Sequence, residues 1–134
     1  MDWLCSYIDI PFQEFGRTRD GCDCWGLVRL VYQEQFDINL PSYLGFYEDC
    51  RDESHLAPLI SEESKIWNSV PLGKEQMGDV IVLRMRGVPM HTAFIIEPGL
   101  MLHIHEDINA VIENYHRSHW NKRVIGIYRH KEII

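Results

Sequence analysis

Asp23-Cys24-Trp25-Gly26-Leu27-Val28 sets a cysteine where a glycine-bearing loop gives way to a helix. From Cys24 to Phe36, Leu27, Val28, Val31 and the more distant Gln35 recur at helical spacing, and Leu30 and Tyr32 widen the stripe. Asp23 is a natural N-cap, because its short side chain accepts from orphan N–H groups of the first turn. Cys24 then falls at the first helical position. Unpaired N–H groups and the helix dipole stabilise a thiolate there, and the same N–H groups suit an oxyanion formed when the thiol attacks a carbonyl. Gly26 leaves room beside the first turn for substrate or for a packed sheet. The competing reading of this stretch alone is a buried cysteine on a helix face.

Working outward, Trp3 to Ile8 reads as a short amphipathic piece, expected to be helical. Asp9 to Cys22 carries Pro11, Gly16 and Gly21 among charges and reads as a loop. After the helix, Asn39-Leu40-Pro41-Ser42 is a stop. Tyr43 to Asp52 has no clear period, and Ser54 to Lys65 is expected to be a second helix. Trp67 to Met77 crosses to a region where the period shortens. Strands are expected over Asp79–Met85, Thr92–Ile96, Met101–His105, Ala110–Glu113 and Val124–Tyr128. Helices come first and short strands last, and the connections are too brief for parallel crossovers. The expectation is α+β with an antiparallel sheet, in one domain covering residues 1–134.

Composition narrows the function classes. With 46% hydrophobic and 25% charged residues the chain is an ordinary globule, long enough to bury a core without disulfides or a metal. The formal net charge of -7 argues against a nucleic-acid partner. The basic group Arg117, Lys122, Arg123, Arg129 and Lys131 suits a solvated face or an acidic protein partner. No apolar run approaches the ~20 residues of a membrane span, and Met1-Asp2 begins no secretion signal. The chain is therefore expected to be made in the cytoplasm and to stay there unless another route carries it out. Cys5, Cys22, Cys24 and Cys50 are expected to be reduced.

Two histidines supply the chemistry that Cys24 needs. His91 opens a strand at a sheet rim, where it suits a general base, and His103 on the next strand suits the group that fixes the His91 tautomer. Geometry sets a condition. If Pro98-Gly99 were a regular two-residue loop, His103 would face Phe94, on the opposite side of the hairpin from His91. A three-residue loop, or one bulge, pairs His103 with Ala93 and makes the histidines diagonal neighbours. A Cys24–His91–His103 site thus requires an irregular hairpin. His105 would fall on the same face and compete with His103.

Other chemistries fit less well. Cys22, Cys24, His91 and His103 can be written as zinc ligands, but Cys-x-Cys is tighter than most structural sites use and the histidines are far apart. Glycine-rich phosphate loops are absent, and Glu97, Glu106 and Asp107 make no glycosidase pair.

Taken together, Asp23-Cys24-x-Gly26-Leu27-Val28, Gly78-Asp79-Val80, His91-x-Ala93-x-Ile95 and Gly99-x-x-x-His103 resemble the NlpC-type cysteine peptidases, papain-like hydrolases of bacterial cell walls. The order and intervals agree over roughly Tyr7 to Tyr128. The resemblance implies Cys24 as nucleophile, His91 as base and His103 as its orienting partner. It implies cleavage of an amide in the peptidoglycan stem peptide, often between D-glutamate and a diamino acid, through an acyl-enzyme, with no metal or organic cofactor. Trp25 after the nucleophile, Leu40-Pro41-x-Tyr43, Arg84-Met85 and Trp120-x-x-Arg123-x-Ile125-Gly126-x-Tyr128-Arg129 are similar to the branch found at phage tail tips. That branch implies tail proteins as partners, synthesis in the host cytoplasm and assembly into a virion without a signal peptide. Trp25 and Trp120 are candidate walls of the cleft, and Asp23 and Gly26 its support. One departure concerns the tyrosine that family members often carry in a Pro-Tyr pair. Here the pair is Pro11-Phe12, without a hydroxyl, and Tyr7 is the nearby candidate to replace it. The departure keeps open a structural tail-tip subunit with weak or masked activity. An enzyme acting on another amide or thioester is a third reading.

Overall fold

The computed structural model describes residues 2–42, 66–85, 88–117 and 119–133. Element order is α1 (Asp2–Cys5), β1 (Arg17–Thr18), β2 (Gly21–Cys22), α2 (Cys24–Phe36), β3 (Trp67–Val70), β4 (Val80–Met85), β5 (Val88–Glu97), β6 (Leu100–His105), β7 (Ile108–Asn114), a 3-10 helix (His119–Arg123) and β8 (Val124–His130). The α+β expectation holds: six strands form one sheet in the order β3-β8-β4-β5-β6-β7, with antiparallel neighbours throughout. No helix among the described residues is long and apolar enough to cross a membrane.

Helix α2 starts and stops where its caps put it. Asp23 is extended, and its carboxylate accepts from the Gly26 N–H at 2.8 Å. Asp37 ends the helix in the left-handed region at φ 55, with its N–H returned to the Tyr32 carbonyl. Between the caps the buried stripe lies on β5 and β6. It packs Leu27, Val28, Val31 and Tyr32 against Val80, Val82, Phe94, Leu102 and Ile104. Burial of each such side chain contributes about 1.5–3 kcal/mol. Tyr32 also donates its hydroxyl to the Gly78 carbonyl, which ties the helix to the turn before β4.

The sheet buries both faces. Alternation sends Ile81, Leu83, Ala93, Ile95 and Met101 to the other side, where Tyr115, Trp120 and Ile127 complete a second cluster. The 3-10 helix His119–Arg123 carries Trp120 into that face.

Several boundaries depart from expectation. The N-terminal helix ends at Cys5, and hydrogen-bonded turns carry the chain on to Asp9, which sits at φ 72. The Asp9–Cys22 loop contains the two-residue ladder of β1 and β2. Trp67–Val70 is a fully formed edge strand against β8, not a crossing segment. Strand β5 begins at Val88 rather than Thr92. The expected helix over 54–65, together with Tyr43 and Cys50, lies outside the described residues.

Candidate active site

The hairpin condition is met through a bulge. Pro98-Gly99 is a two-residue loop, with Glu97 opposite Leu100 and Gly99 at φ 94. The register then shifts between Ile95 and Glu97, so that Ile95 pairs with Met101 and Phe94 with Leu102. The extra residue turns His103 onto the face of Ala93, which is also that of His91. His91 Nε2 and His103 Nδ1 lie 2.9 Å apart, and both side chains are buried. His105 shares the face but stands off, with its ring 5.9 Å from that of His91. His103 is therefore the hydrogen-bonded partner.

The row of groups continues past His103. Its Nε2 is 2.9 Å from Glu113 Oε1, and the other oxygen of Glu113 accepts from the Trp120 indole N–H at 3.0 Å. Register explains the meeting: Val111 pairs with His103 and Glu113 with Met101, so Glu113 is the diagonal neighbour of His103 on one face. Trp120 stacks on His91, with centroids 5.4 Å apart and planes at 21°, and presents an edge to His103. Trp120 is itself buried, so it backs the histidines as part of the core. Sequence reading missed Glu113. Its only signal was the two-residue alternation with Val111, which leaves its partner to the strand register.

Burial pushes the His103 imidazole down to about 4. Glu113 opposes this, while the nearby His105 and His119 add to it. Burial also lowers His105 and His130. The stability consequence has a definite sign. Above pH 6.5 His103 is neutral in both folded and unfolded chains. As the pH falls below 6.5 the unfolded chain takes up the proton first, so stability drops, and His103 contributes no further loss once it protonates in the fold near pH 4. His103 alone should cost about 2 kcal/mol between pH 7.5 and pH 5. Glu34 and Glu75 act at lower pH. Burial works against their charge, yet hydrogen bonds from Arg19 and Tyr7 to Glu34, and from Tyr115 to Glu75, hold both below 4.5. Urea titrations at pH 7.5, 6 and 5 should show the decline, and a flat profile over that range would contradict it.

Cys24 stands at the first position of α2 and is buried. Arg17 and the backbone around it shape this end of the helix. Arg17 Nη1 pairs with Asp23 Oδ1 at 2.8 Å and with the Gly16 carbonyl, while the Phe15 N–H reaches Asp23 Oδ2 at 3.2 Å. Gly26 has a different reason from the one expected. A Cβ there would lie 2.0 Å from the Gly16 carbonyl oxygen, so the space is taken by the preceding loop and not by substrate or sheet. Cys22, two residues before Cys24, is a contrasting thiol. It is fully buried, lies 3.0 Å from the Thr18 carbonyl and is pushed up to about 12 by burial, with the Asp23 charge next in size. Neither Cys5, Cys22 nor Cys24 is in a disulfide.

The remaining sequence candidates fall elsewhere. Trp25 is buried in the main cluster, its indole N–H on the Pro41 carbonyl at 2.8 Å and its ring 6.5 Å from that of Trp67. With Arg29 on the Leu40 carbonyl, it pins the 40–41 segment to α2. Phe12 makes an isolated parallel bridge to Cys22 and packs on the main cluster. Tyr7 is not brought to the helix start. Its hydroxyl donates to Glu34 at 2.6 Å and accepts from Gln35. Those partners are ten residues or more along α2 from Cys24, about 15 Å at 1.5 Å per residue. Among the described residues, no three His, Cys, Asp or Glu side chains form a metal-binding group.

The chain resembles known proteins in sequence and in fold. It is 22% identical over 123 residues to the murein DD-endopeptidase MepS/murein LD-carboxypeptidase of Escherichia coli K12, which covers 92% of this chain but only 57% of that protein. In fold it is similar to an NLP/P60-family lipoprotein-like protein of Staphylococcus aureus Mu50, at TM-score 0.66 and 21% identity over 96% of this chain and 39% of that one. An NlpC/P60 family protein of Bacillus cereus ATCC 10987 gives TM-score 0.65 and 19% identity, covering 90% and 35% of the two chains. The NlpC/P60 domain of the peptidoglycan hydrolase SagA gives 0.56 and 18%, covering 83% and 85%. The NlpC/P60 family model itself matches residues 10–129, and the chain belongs to that family.

Proposed function

We propose that this domain is a cysteine peptidase that hydrolyses an amide of the peptidoglycan stem peptide, at the bond between D-glutamate and a diamino acid. The observation that carries the reading is the 2.9 Å contact between the two buried histidines, in a family chain whose cysteine begins a capped helix. The substrate class is supported by the relatives, a murein endopeptidase and a peptidoglycan hydrolase among them.

In the proposed reaction His91 takes the Cys24 thiol proton, and the sulfur bonds to the amide carbon. The oxygen that gains charge is held by N–H groups at the start of α2. Collapse breaks the C–N bond, and His91 returns the proton to the leaving amine. Water then attacks the thioester, giving up its proton to His91, and the carboxylic acid leaves as the thiol re-forms. His103 holds His91 in orientation throughout. Asp23 and Gly26 support the helix start, and no metal or cofactor takes part.

The finer setting we propose is the tail tip of a phage or phage-like particle, made in the host cytoplasm and acting on the periplasmic wall at infection. Trp25, Leu40-Pro41 and the Trp120–Arg129 ending support it. Phe12 favours a second reading, a tail-tip assembly subunit with weak or masked hydrolysis, because its ring offers no hydroxyl to a reacting carbonyl. The test is to incubate the purified protein with peptidoglycan and identify the new amino termini by mass. Release of diamino-acid amines is expected. Intact stem peptides would remove the peptidase reading. Normal tail assembly and infection by a Cys24→Ala phage would favour the structural one.

A further inference from the structure

Glu113 is exposed by about a third, yet both of its oxygens are engaged, one by His103 and one by Trp120. An indole N–H can only donate, and a carboxylate can only accept. These two facts orient every proton in the row. His103 must donate from Nε2 to Glu113. A neutral His103 then carries a lone pair on Nδ1, so the 2.9 Å contact to His91 requires a proton on His91 Nε2. A neutral His91 with its proton there keeps its lone pair on Nδ1, the form a base needs.

We infer that Glu113, with its orientation held by Trp120, is the positioning residue that sets the tautomers of both histidines and keeps the base lone pair of His91 on Nδ1. The inference rests on the peptidase reading for its catalytic consequence, though the tautomers themselves do not depend on it. Burial keeps His103 neutral, and this matters because an imidazolium at His103 would donate from both nitrogens and force His91 into the opposite form.

Glu113→Gln is the decisive variant because it keeps the shape. Trp120 donates to the amide oxygen, so the amide NH2 faces His103. His103 Nε2 then accepts, its proton moves to Nδ1, and His91 is left with its proton on Nδ1 and its lone pair on Nε2. In a Trp120→Phe background the amide is free to turn its oxygen to His103, and the same change should do little. Glu113→Asp keeps an acceptor on both sides and should keep the tautomers.

The experiment records long-range proton–nitrogen spectra of nitrogen-15 histidine at pH 7, beside turnover of soluble peptidoglycan fragments. For E113Q we expect His103 to switch to the Nδ1–H form and kcat to fall about 10²- to 10⁴-fold with little change in KM, the upper figure being the loss seen when a catalytic histidine is left in the wrong tautomer. E113Q on top of W120F should cost under about 3-fold relative to W120F alone, a non-additivity that shared contacts allow. Wild-type tautomers and turnover in E113Q would overturn the inference. So would an equal loss from E113Q in both backgrounds, which is the pattern of a merely structural contact. If the wild-type protein cleaves nothing while E113Q still switches His103, the peptidase reading fails and the positioning role stands.

Discussion

Cys24→Ala should lower hydrolysis of peptidoglycan fragments by about 10⁴- to 10⁶-fold, the scale seen when an enzyme loses its nucleophile, whereas Cys22→Ala should keep turnover within about 3-fold. The contrast comes from surroundings, since the two thiols are two residues apart. Cys22 is sealed in the main cluster beside a carbonyl oxygen, and burial and the Asp23 charge both oppose its thiolate. Cys24 stands at the first position of α2, at the positive end of the helix dipole, which stabilises a thiolate. Cys22→Ala removes one small buried group and costs stability on the order of 1 kcal/mol, so both variants can be assayed folded. Iodoacetamide labelling followed by peptide mapping gives an independent check. Cys24 should label faster than Cys22 at pH 7, and the rate at Cys24 should track loss of activity. If C24A retains turnover, or if C22A is the variant that loses it, the nucleophile has been misassigned.

The sequence exposed the parts of this site that are local. Helix α2 was legible to the residue because a capping aspartate and a helical stripe agree, and the five expected strands all appear within a few residues of their predicted ends. Even the hairpin irregularity was legible, because side-chain alternation allows the two histidines to meet only if one residue is inserted, and the bulge before Glu97 supplies it. What stayed hidden depends on pairing across distance. Trp67-Asn68-Ser69-Val70 has a buried–exposed–exposed–buried pattern, which is no strand period, and only β8 beside it makes it a strand. Strand β5 runs on past its expected start at Thr92 to Val88, because one extra residue on β5 between Pro89 and His91 lets the pairing with β4 continue to Met85. Gly26 invited a functional reading until the Gly16 carbonyl was found against it. Glu113 was the largest omission. A glutamate near the end of an alternating strand is ordinary until strand register places it diagonal to a buried histidine.

Arg129→Ala should destabilise the domain by about 3–5 kcal/mol, the usual cost of leaving a buried charge without its partner. Asp79, the acidic member of Gly78-Asp79-Val80, is fully buried, and Arg129 grips it with two parallel bonds of 2.8 and 2.9 Å. The Gln76 N–H donates to the same carboxylate, and the Asp79 backbone pairs with Ile95 on β5. One ion pair thus joins β8 to the turn that starts β4, at the residue next to the Gly78 carbonyl through which Tyr32 anchors α2. The two halves of the pair are not equivalent, because the Arg129 side chain keeps 29% of its surface and Asp79 none. Arg129 without Asp79 can turn to water, but Asp79 without Arg129 cannot. Asp79→Ala should therefore cost less, about 1–3 kcal/mol, mostly from the backbone N–H left unpaired. The double variant should resemble Asp79→Ala alone, because removing the carboxylate removes the penalty that made Arg129→Ala expensive. Urea denaturation of the three variants measures this as a cycle. Equal single losses that simply add would mean that the pair is an ordinary surface contact, and that the Gly78-Asp79 turn is held by its backbone alone.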